Sequence, residues 1–386
     1  MDTPEMTSAS FWQSDPCRVM ANPLDAVAQG EAGLLARWAE NIPGLSGHIL
    51  FATSGSTGDG KWVALSRGAL LASARMVNQH LSACPADRWL LALPEFHVGG
   101  MGILARCYLA DCEVIRMEGK WNPHVYHDLA CSGNATLSSL VPTQLFDLVQ
   151  SGKQAPPGLR AVLIGGGRLD DAVYQQAAEL GWPVMETYGM TETCSQVATA
   201  QPGGRELNIL PGWQSRVTEK GRLMLKGEAL LSAYVSSGHG GFRMSDPKTD
   251  GWFATGDIVE LRNNALRILG RADRCVKILG ELVNLAEVET TLAATARRLA
   301  TPVNMPSGEL IVIACADHRR GSRLVLCSDQ AIDGHHLIGQ YNQSCKPVER
   351  IDCYCLLENI PRSPLGKVRY DQLQAEVARQ RLAQDQ

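Results

Sequence analysis

The stretch HILFATSGSTGDGK, residues 48–61, sets an apolar run against a loop of hydroxyls and glycines that ends in a lysine. His48 to Thr53 reads as a strand, and the pattern from Gly68 to Leu81 reads as a helix. Between them, glycines let backbone N–H groups turn inward on an anion, hydroxyls add donors and Lys61 adds a charge, the ingredients of a phosphate cradle. The same composition standing alone describes a flexible linker; the strand directly before it and the helix soon after argue for the cradle. Gly55 to Lys61 also fills the first seven positions of GxxxxGK. The eighth must carry a hydroxyl for Mg²⁺, and here it is Trp62, which disfavours a P-loop NTPase.

The rhythm continues downstream. Trp89 to Pro94 is another strand, Gly100 to Ala110 a helix, and Ala161 to Ile164 a strand that runs into a triple glycine. Strands separated by helices predict a mostly parallel, helix-covered sheet, an α/β fold. From Gln201 to Gln214 the texture turns to Pro, Gly and polar residues, and the runs RLMLKG, DIVEL and LRILG then predict antiparallel strands. After Gly270 comes a further α+β segment that includes IVIACA and closes with a charged helix, Asp371 to Gln386.

Composition excludes several classes. The 386 residues carry a net charge of −4 and are 45% hydrophobic, enough for real cores and without the basic patch that nucleic acid or an anionic membrane requires. Phosphate must therefore be met locally. The twelve cysteines are scattered, with Cys353 and Cys355 the closest pair, and read as reduced, small apolar residues. His124 and His127 have a ligand spacing, but no second cluster completes a zinc site, so no zinc is expected. Asp2, Glu5 and Asp15 stand where a signal peptide needs a basic start. No window reaches the roughly 20 apolar residues that span a bilayer, so a cytoplasmic protein without membrane insertion is expected.

Seven motifs occur in order: TSGSTGDGK at 53–61, LPEFHVGG at 93–100, GGG at 165–167, ETYGMTET at 186–193, TGD at 255–257, GRADRCVKILGE at 270–281 and PRSPLGK at 361–367. In that order and spacing the chain resembles the adenylate-forming superfamily of acyl-CoA synthetases, luciferases and peptide-synthetase adenylation domains. The resemblance implies a large N-terminal domain with helix-covered sheets, residues 1–270, and a small mobile α+β C-terminal domain, residues 271–386. It implies two steps, attack of a carboxylate on the α-phosphate of ATP and displacement of AMP by a thiol. Bringing two anions together demands charge neutralisation and in-line positioning.

By the same resemblance, Thr53, Ser54, Ser56, Thr57 and Lys61 hold the β- and γ-phosphates. Gly165, Gly166 and Gly167 admit the adenine, beside Glu186, Thr187 and Gly189, and Tyr188 packs on its face. Thr191 donates to the α-phosphate, Glu192 holds Mg²⁺, and Asp257 accepts from the ribose hydroxyls near Arg271. Lys367 bridges the carboxylate and the α-phosphate. Asp273 is the hinge, about which the domain rotates to bring Lys277 and Gly280 to the thiol step. The partners are a small carboxylic acid, ATP and CoA, with a homodimer left open; a carrier-protein phosphopantetheine is the alternative acceptor. A non-catalytic nucleotide-binding regulator is hard to sustain with Lys61, Glu192, Asp257 and Lys367 all in place.

FHVGGMGILARCYLADCEV, SLVPTQL and KILGELVNLAEVE resemble the o-succinylbenzoate–CoA ligase branch of the superfamily, which serves menaquinone biosynthesis, with a ligase for another aryl or short carboxylate as the alternative. Such an acid keeps a second carboxylate, and Arg106 is the candidate cation for it, since a guanidinium offers two parallel hydrogen bonds. The plainer reading of Arg106 is a surface helix residue. His97 would line the passage towards the thiol, and Thr143 belongs to the same acyl side. The phosphate loop has Gly60 and Trp62 where the family usually has Pro and a small residue. It also begins unusually close to the N-terminus, which implies a shortened N-terminal subdomain. We expect Lys367→Ala to slow the adenylation half-reaction on the order of 10²- to 10³-fold, measured by pyrophosphate exchange, while thioester formation from supplied acyl-adenylate is nearly unchanged; equal loss in both steps would remove Lys367 from the role.

Overall fold

The computed structural model describes residues 6–53, 61–238, 241–299, 310–317, 319–330, 332–362 and 368–384. His48–Thr53 forms the expected strand, and the helix Arg67–Leu81 follows, N-capped by the Ser66 hydroxyl, which accepts from the Ala69 N–H at 3.0 Å. Between them lies an additional strand, Lys61–Ser66, antiparallel to His48–Thr53 with Thr53 opposite Lys61. The reason is burial. Trp62, Val63, Ala64 and Leu65 are consecutive and all inside, the signature of a strand covered on both faces. Trp62 is therefore a core residue opposite Ala52 and Val235, and the loop leads into a strand where a P-loop would open a helix.

Among the described residues this hairpin belongs to a five-stranded sheet, in the order Arg18–Met20, His48–Thr53, Lys61–Ser66, Ala233–Gly238, Gly241–Ser245. A larger sheet has two halves. Glu113–Arg116, Arg88–Leu91, Leu137–Leu140, Ala161–Ile164 and Val184–Tyr188 run parallel, as the alternation with helices predicts. The sheet continues antiparallel through Ala198–Ala200, Leu207–Ile209, Ala265–Arg271, Trp252–Arg262, Arg222–Lys226 and Gln214–Val217. The change of direction thus falls between residues 188 and 198, ahead of the polar stretch at Gln201 to Gln214, and both textures share one sheet. The helices Arg67–Leu81 and Val98–Ala110 pack together over the main apolar core.

Beyond Arg271 the chain forms a second set of elements. Cys275–Ile278 and Glu281–Asn284 make a hairpin whose two-residue turn, Leu279 and Gly280, has φ of 52° and 86°, as a type I′ turn requires. Ile311–Asp317, Gly321–Ser328 and Ile351–Leu356 form a three-stranded sheet. Its side chains alternate. Val312, Leu324 and Leu326 meet Val288, Leu292 and Leu337 from the helices Leu285–Arg298 and Gly334–Asn342, while Ile311, Ile313 and Val325 meet Leu373 and Val377 of the terminal helix Tyr370–Gln384. All twelve cysteines are free thiols.

Candidate active site

The parallel strands end at Leu91, Leu140, Ile164 and Tyr188, and the next strand turns back. In an α/β sheet the crevice lies outside the carboxyl ends of the parallel strands, where the strand order reverses, here between Arg88–Leu91 and Leu137–Leu140. Four of the stretches singled out in the sequence leave from these ends: 93–100, 139–145, 165–167 and 186–193.

Close backbone approach explains the glycines there. Gly166 has a φ of 80°, and a methyl group on Gly165 would fall 2.5 Å from the Thr187 hydroxyl, which donates to the Ile164 carbonyl at 3.1 Å. A methyl on Gly189 would fall 1.5 Å from the Ser195 carbonyl oxygen. The chain reverses there through Cys194 and Ser195 at φ of 52° and 98°, left-handed values that a non-glycine residue adopts only where its surroundings impose them. Glu186 is ion-paired with Arg205, which also holds Asp171 at 2.6 Å.

Tyr188, Asp257 and Arg271 come together from three strands. The Tyr188 hydroxyl donates to Asp257 Oδ2 at 2.5 Å, and Arg271 Nη1 lies 3.8 Å from Asp257 Oδ1. Burial pushes the Asp257 carboxyl above its usual range; burial and then the Asp257 charge push Tyr188 up. Arg271 also donates to Asp273 at 3.0 and 3.1 Å, so the expected hinge residue is tied to the expected ribose-side arginine. Glu192 and Lys61 meet across Tyr234, which the sequence reading missed. The Tyr234 hydroxyl donates to Glu192 Oε1 at 2.9 Å, and Lys61 Nζ sits 3.0 Å from the centre of its ring. Burial lowers the Lys61 pKa, and Glu192 works against that. The available signal was a lone aromatic in the AYVSSG strand that pairs with Lys61–Ser66.

Arg106 is only 2% exposed, so it is not a surface helix residue. Its Nη2 donates to Gln196 Oε1 at 2.6 Å, its Nη1 lies 3.5 Å from Ser139 Oγ, and the guanidinium stands over Trp89 at 5.3 Å. Nε has no partner, and among the described residues no carboxylate pairs with this cation, whose pKa burial draws down to about 10. Gln196 and Ser139 are further residues that the sequence reading missed. His97 is the N-cap of Val98–Ala110, its ring 4.6 Å from that of Phe96. Thr143 is exposed on the first turn of Pro142–Gln150, and Thr191 opens the 3₁₀ turn that carries Glu192. Lys277 and Gly280 lie exposed on the C-terminal hairpin, whose Leu279 N–H donates to the Arg320 carbonyl at 3.0 Å. Ser54, Ser56, Thr57 and Lys367 lie outside the described residues, and Thr53 is described in its backbone alone.

This crevice brings together glycine turns and the Tyr188, Asp257, Glu192 and Lys61 of the sequence motifs. Residues 46–231 match the family model of the AMP-binding enzyme. The chain is 29% identical over 338 residues to the 2-succinylbenzoate–CoA ligase of Enterococcus faecalis, covering 82% of this chain and 67% of that one. It is 34% identical over 244 residues to the Escherichia coli ligase of the same name, covering 63% and 51%. The chain thus spans between half and two thirds of the length of these relatives. Among solved structures, the o-succinylbenzoate CoA synthetase (MenE) of Bacillus subtilis in complex with ATP and magnesium superposes with a TM-score of 0.72 at 25% identity, over 84% of this chain and 69% of that one. The same enzyme with the acyl-adenylate OSB-AMP shares the fold over 97% of this chain and 81% of its own, TM-score 0.74 at 23% identity. We expect Gly189→Ala to destabilise the protein by about 3 kcal/mol, since backbone must move to relieve the overlap; thermal unfolding measures this, and an unchanged Tm would refute the packing argument.

Proposed function

We propose that the chain is an ATP-dependent carboxylate–CoA ligase acting through an acyl-adenylate, with o-succinylbenzoate as substrate. The observation that carries the substrate class is Arg106. A buried guanidinium without a carboxylate is costly, and an acid with a second carboxylate supplies the missing partner. Gln196 and Ser139 then hold the guanidinium in place, and the reacting carboxylate of the same molecule is left for the nucleotide.

In the proposed reaction a carboxylate oxygen attacks the α-phosphorus, and the bond to pyrophosphate breaks. The CoA sulfur then attacks the acyl carbon and AMP departs with the bonding electrons. Glycines 165–167, Glu186, Thr187, Tyr188 and Gly189 form the adenine wall, and Asp257 with Arg271 takes the ribose. Thr53, Ser54, Ser56, Thr57 and Lys61 meet the terminal phosphates, Thr191 meets the α-phosphate, and Lys367 stabilises the charge that develops between the two anions. One carboxylate is an ordinary protein contribution to Mg²⁺, the rest coming from phosphate and water oxygens. Glu192 is suited to it, since the Tyr234 hydrogen bond occupies Oε1 and fixes the group's direction. A bound Mg²⁺ would neutralise phosphate charge. The unit beyond residue 271 is the mobile domain, with Asp273 its hinge, Lys277 and Gly280 its thiol-step face, and His97 and Thr143 bordering the acyl pocket. No helix of the described residues is long and apolar enough to cross a membrane, and we place the reaction in the cytoplasm.

The deciding experiment is carboxylate-dependent pyrophosphate exchange over a panel of acids, followed by addition of CoA. Exchange with o-succinylbenzoate and appearance of its CoA thioester are expected; no exchange with any acid refutes the proposal, and exchange without thioester moves the acceptor to a carrier protein. Arg106→Leu should raise KM about 10²-fold for the dicarboxylic acid, in line with losing a buried charge pair, and hardly change it for benzoate; equal effects on both would take Arg106 out of the pocket. Tyr234→Phe should raise the Mg²⁺ concentration needed for half-maximal exchange about tenfold, the worth of one hydrogen bond to a charged group, with Tm unchanged; a normal Mg²⁺ titration would reduce Tyr234 to packing.

A further inference from the structure

The turn that follows the triple glycine also touches the other end of the molecule. Arg168 Nη1 donates to Thr290 Oγ1 at 2.5 Å, and Arg297 Nη2 donates to Asp170 Oδ2 at 3.1 Å. Thr290 gives its own proton to the Ala286 carbonyl at 2.8 Å, so it is free to accept from Arg168. Thr290 and Arg297 are seven residues apart on the helix Leu285–Arg298, two turns along one face. The charges suit the helix ends that carry them. Asp170 caps Asp171–Glu179, accepting from Ala172 N–H at 2.8 Å, and Arg297 stands in the last turn of Leu285–Arg298.

The other side of the same turn is fixed to the crevice. Arg205 binds Asp171 at 2.6 Å and the Leu169 carbonyl at 3.3 Å while it is ion-paired with Glu186 on the strand that ends in Tyr188. Residues 165–171 therefore form one short segment with the glycine turn at its start and the Leu285–Arg298 helix against its end. We infer that Arg168 and Asp170, with Thr290 and Arg297, are a latch that sets the orientation of the C-terminal unit, and that nucleotide in the glycine turn biases the latch.

This deepens the proposed ligase reading, in which that unit turns between two half-reactions. Arg297 is 56% exposed, and an exposed pair contributes little to fold stability. That is the right strength for a contact that must open in each cycle. It shifts a two-state balance a few-fold without welding it.

The test uses hydrogen exchange of the full chain at 265–274 and 285–298, with and without ATP. The variants are Arg297→Gln, Thr290→Val, Asp170→Asn, which keeps a competent N-cap, and the conservative Arg297→Lys. Arg297→Gln and Asp170→Asn should raise exchange in both segments, their double variant should be no worse than either single, and Arg297→Lys should restore protection. ATP should alter the protection of 285–298 in the parent and not in Arg297→Gln. In activity assays the ratio of pyrophosphate exchange to thioester formation should move about three- to fivefold, in keeping with one exposed ion pair. Unchanged hydrogen exchange, or both half-reactions falling in equal proportion, would overturn the latch. Should the parent show no pyrophosphate exchange with any acid, the ligase reading falls while hydrogen exchange still decides the latch.

Discussion

Gly189 and Ser195 approach so closely that no side chain fits between them, and the direction of the large sheet changes across that contact. With the Tyr188 carbonyl accepting from Val197 N–H at 2.8 Å, the chain folds back on itself within nine residues and enters Ala198–Ala200 antiparallel to the strand it has just left. The turn holds Cys194 and Ser195 at positive φ. Strain of this kind costs on the order of 1–3 kcal/mol per residue and persists where packing over-determines it. Here the Ser73 hydroxyl donates to the Cys194 carbonyl at 2.9 Å, and Gln196 is held between Arg106 and Thr199.

Because the sheet reverses at that point, the antiparallel strands can bring distant sequence back onto the ends of the parallel ones. Asp257 and Tyr188 are 69 residues apart and share one short hydrogen bond. The five-stranded sheet adds the other pair: Glu192 meets Tyr234, 42 residues on, and Tyr234 in turn lies under Lys61 of the same sheet. Two buried or half-buried carboxylates and a lysine therefore stand close together, each oriented by a tyrosine. Fixed groups of this sort stabilise charge without reorganising when it develops. A chain of mild net charge can in this way present strong local fields where a polyanion is to be handled.

The parallel half of the fold and most motif residues were legible because they rest on local signals. Apolar runs bounded by Gly and Pro mark strands, and glycine turns mark close approach. The strand Lys61–Ser66 was not legible, since KWVALS is short, is buried on both faces and shows no period; its pairing with Thr53 and Val235 is a tertiary fact. Tyr234, Gln196 and Ser139 were missed for a similar reason. Each owes its place to a partner 33 to 90 residues away; Ser139 opens the SLVPTQL stretch, but nothing in that stretch marks it out. The change of pairing was expected a few residues late because polar composition follows the reversal and does not cause it.

Arg106 gives the clearest case of a residue whose meaning depends on burial. On an exposed helix face a guanidinium has water for every donor. Inside, between Trp89, Ser139 and Gln196, it has two neutral acceptors and an unpartnered Nε. A carboxylate is a stronger acceptor than an amide or a hydroxyl and can take two donors at once. An acid with a neutral tail would instead leave the cation as it stands and add nothing. Discrimination in the proposed reaction would thus come from the difference between those two states. The cost of burying the cation is carried by the fold before any ligand arrives, so in the proposed reaction a second carboxylate would bear only its own desolvation on entry. A site of that design selects for charge first and for the shape of the ring second.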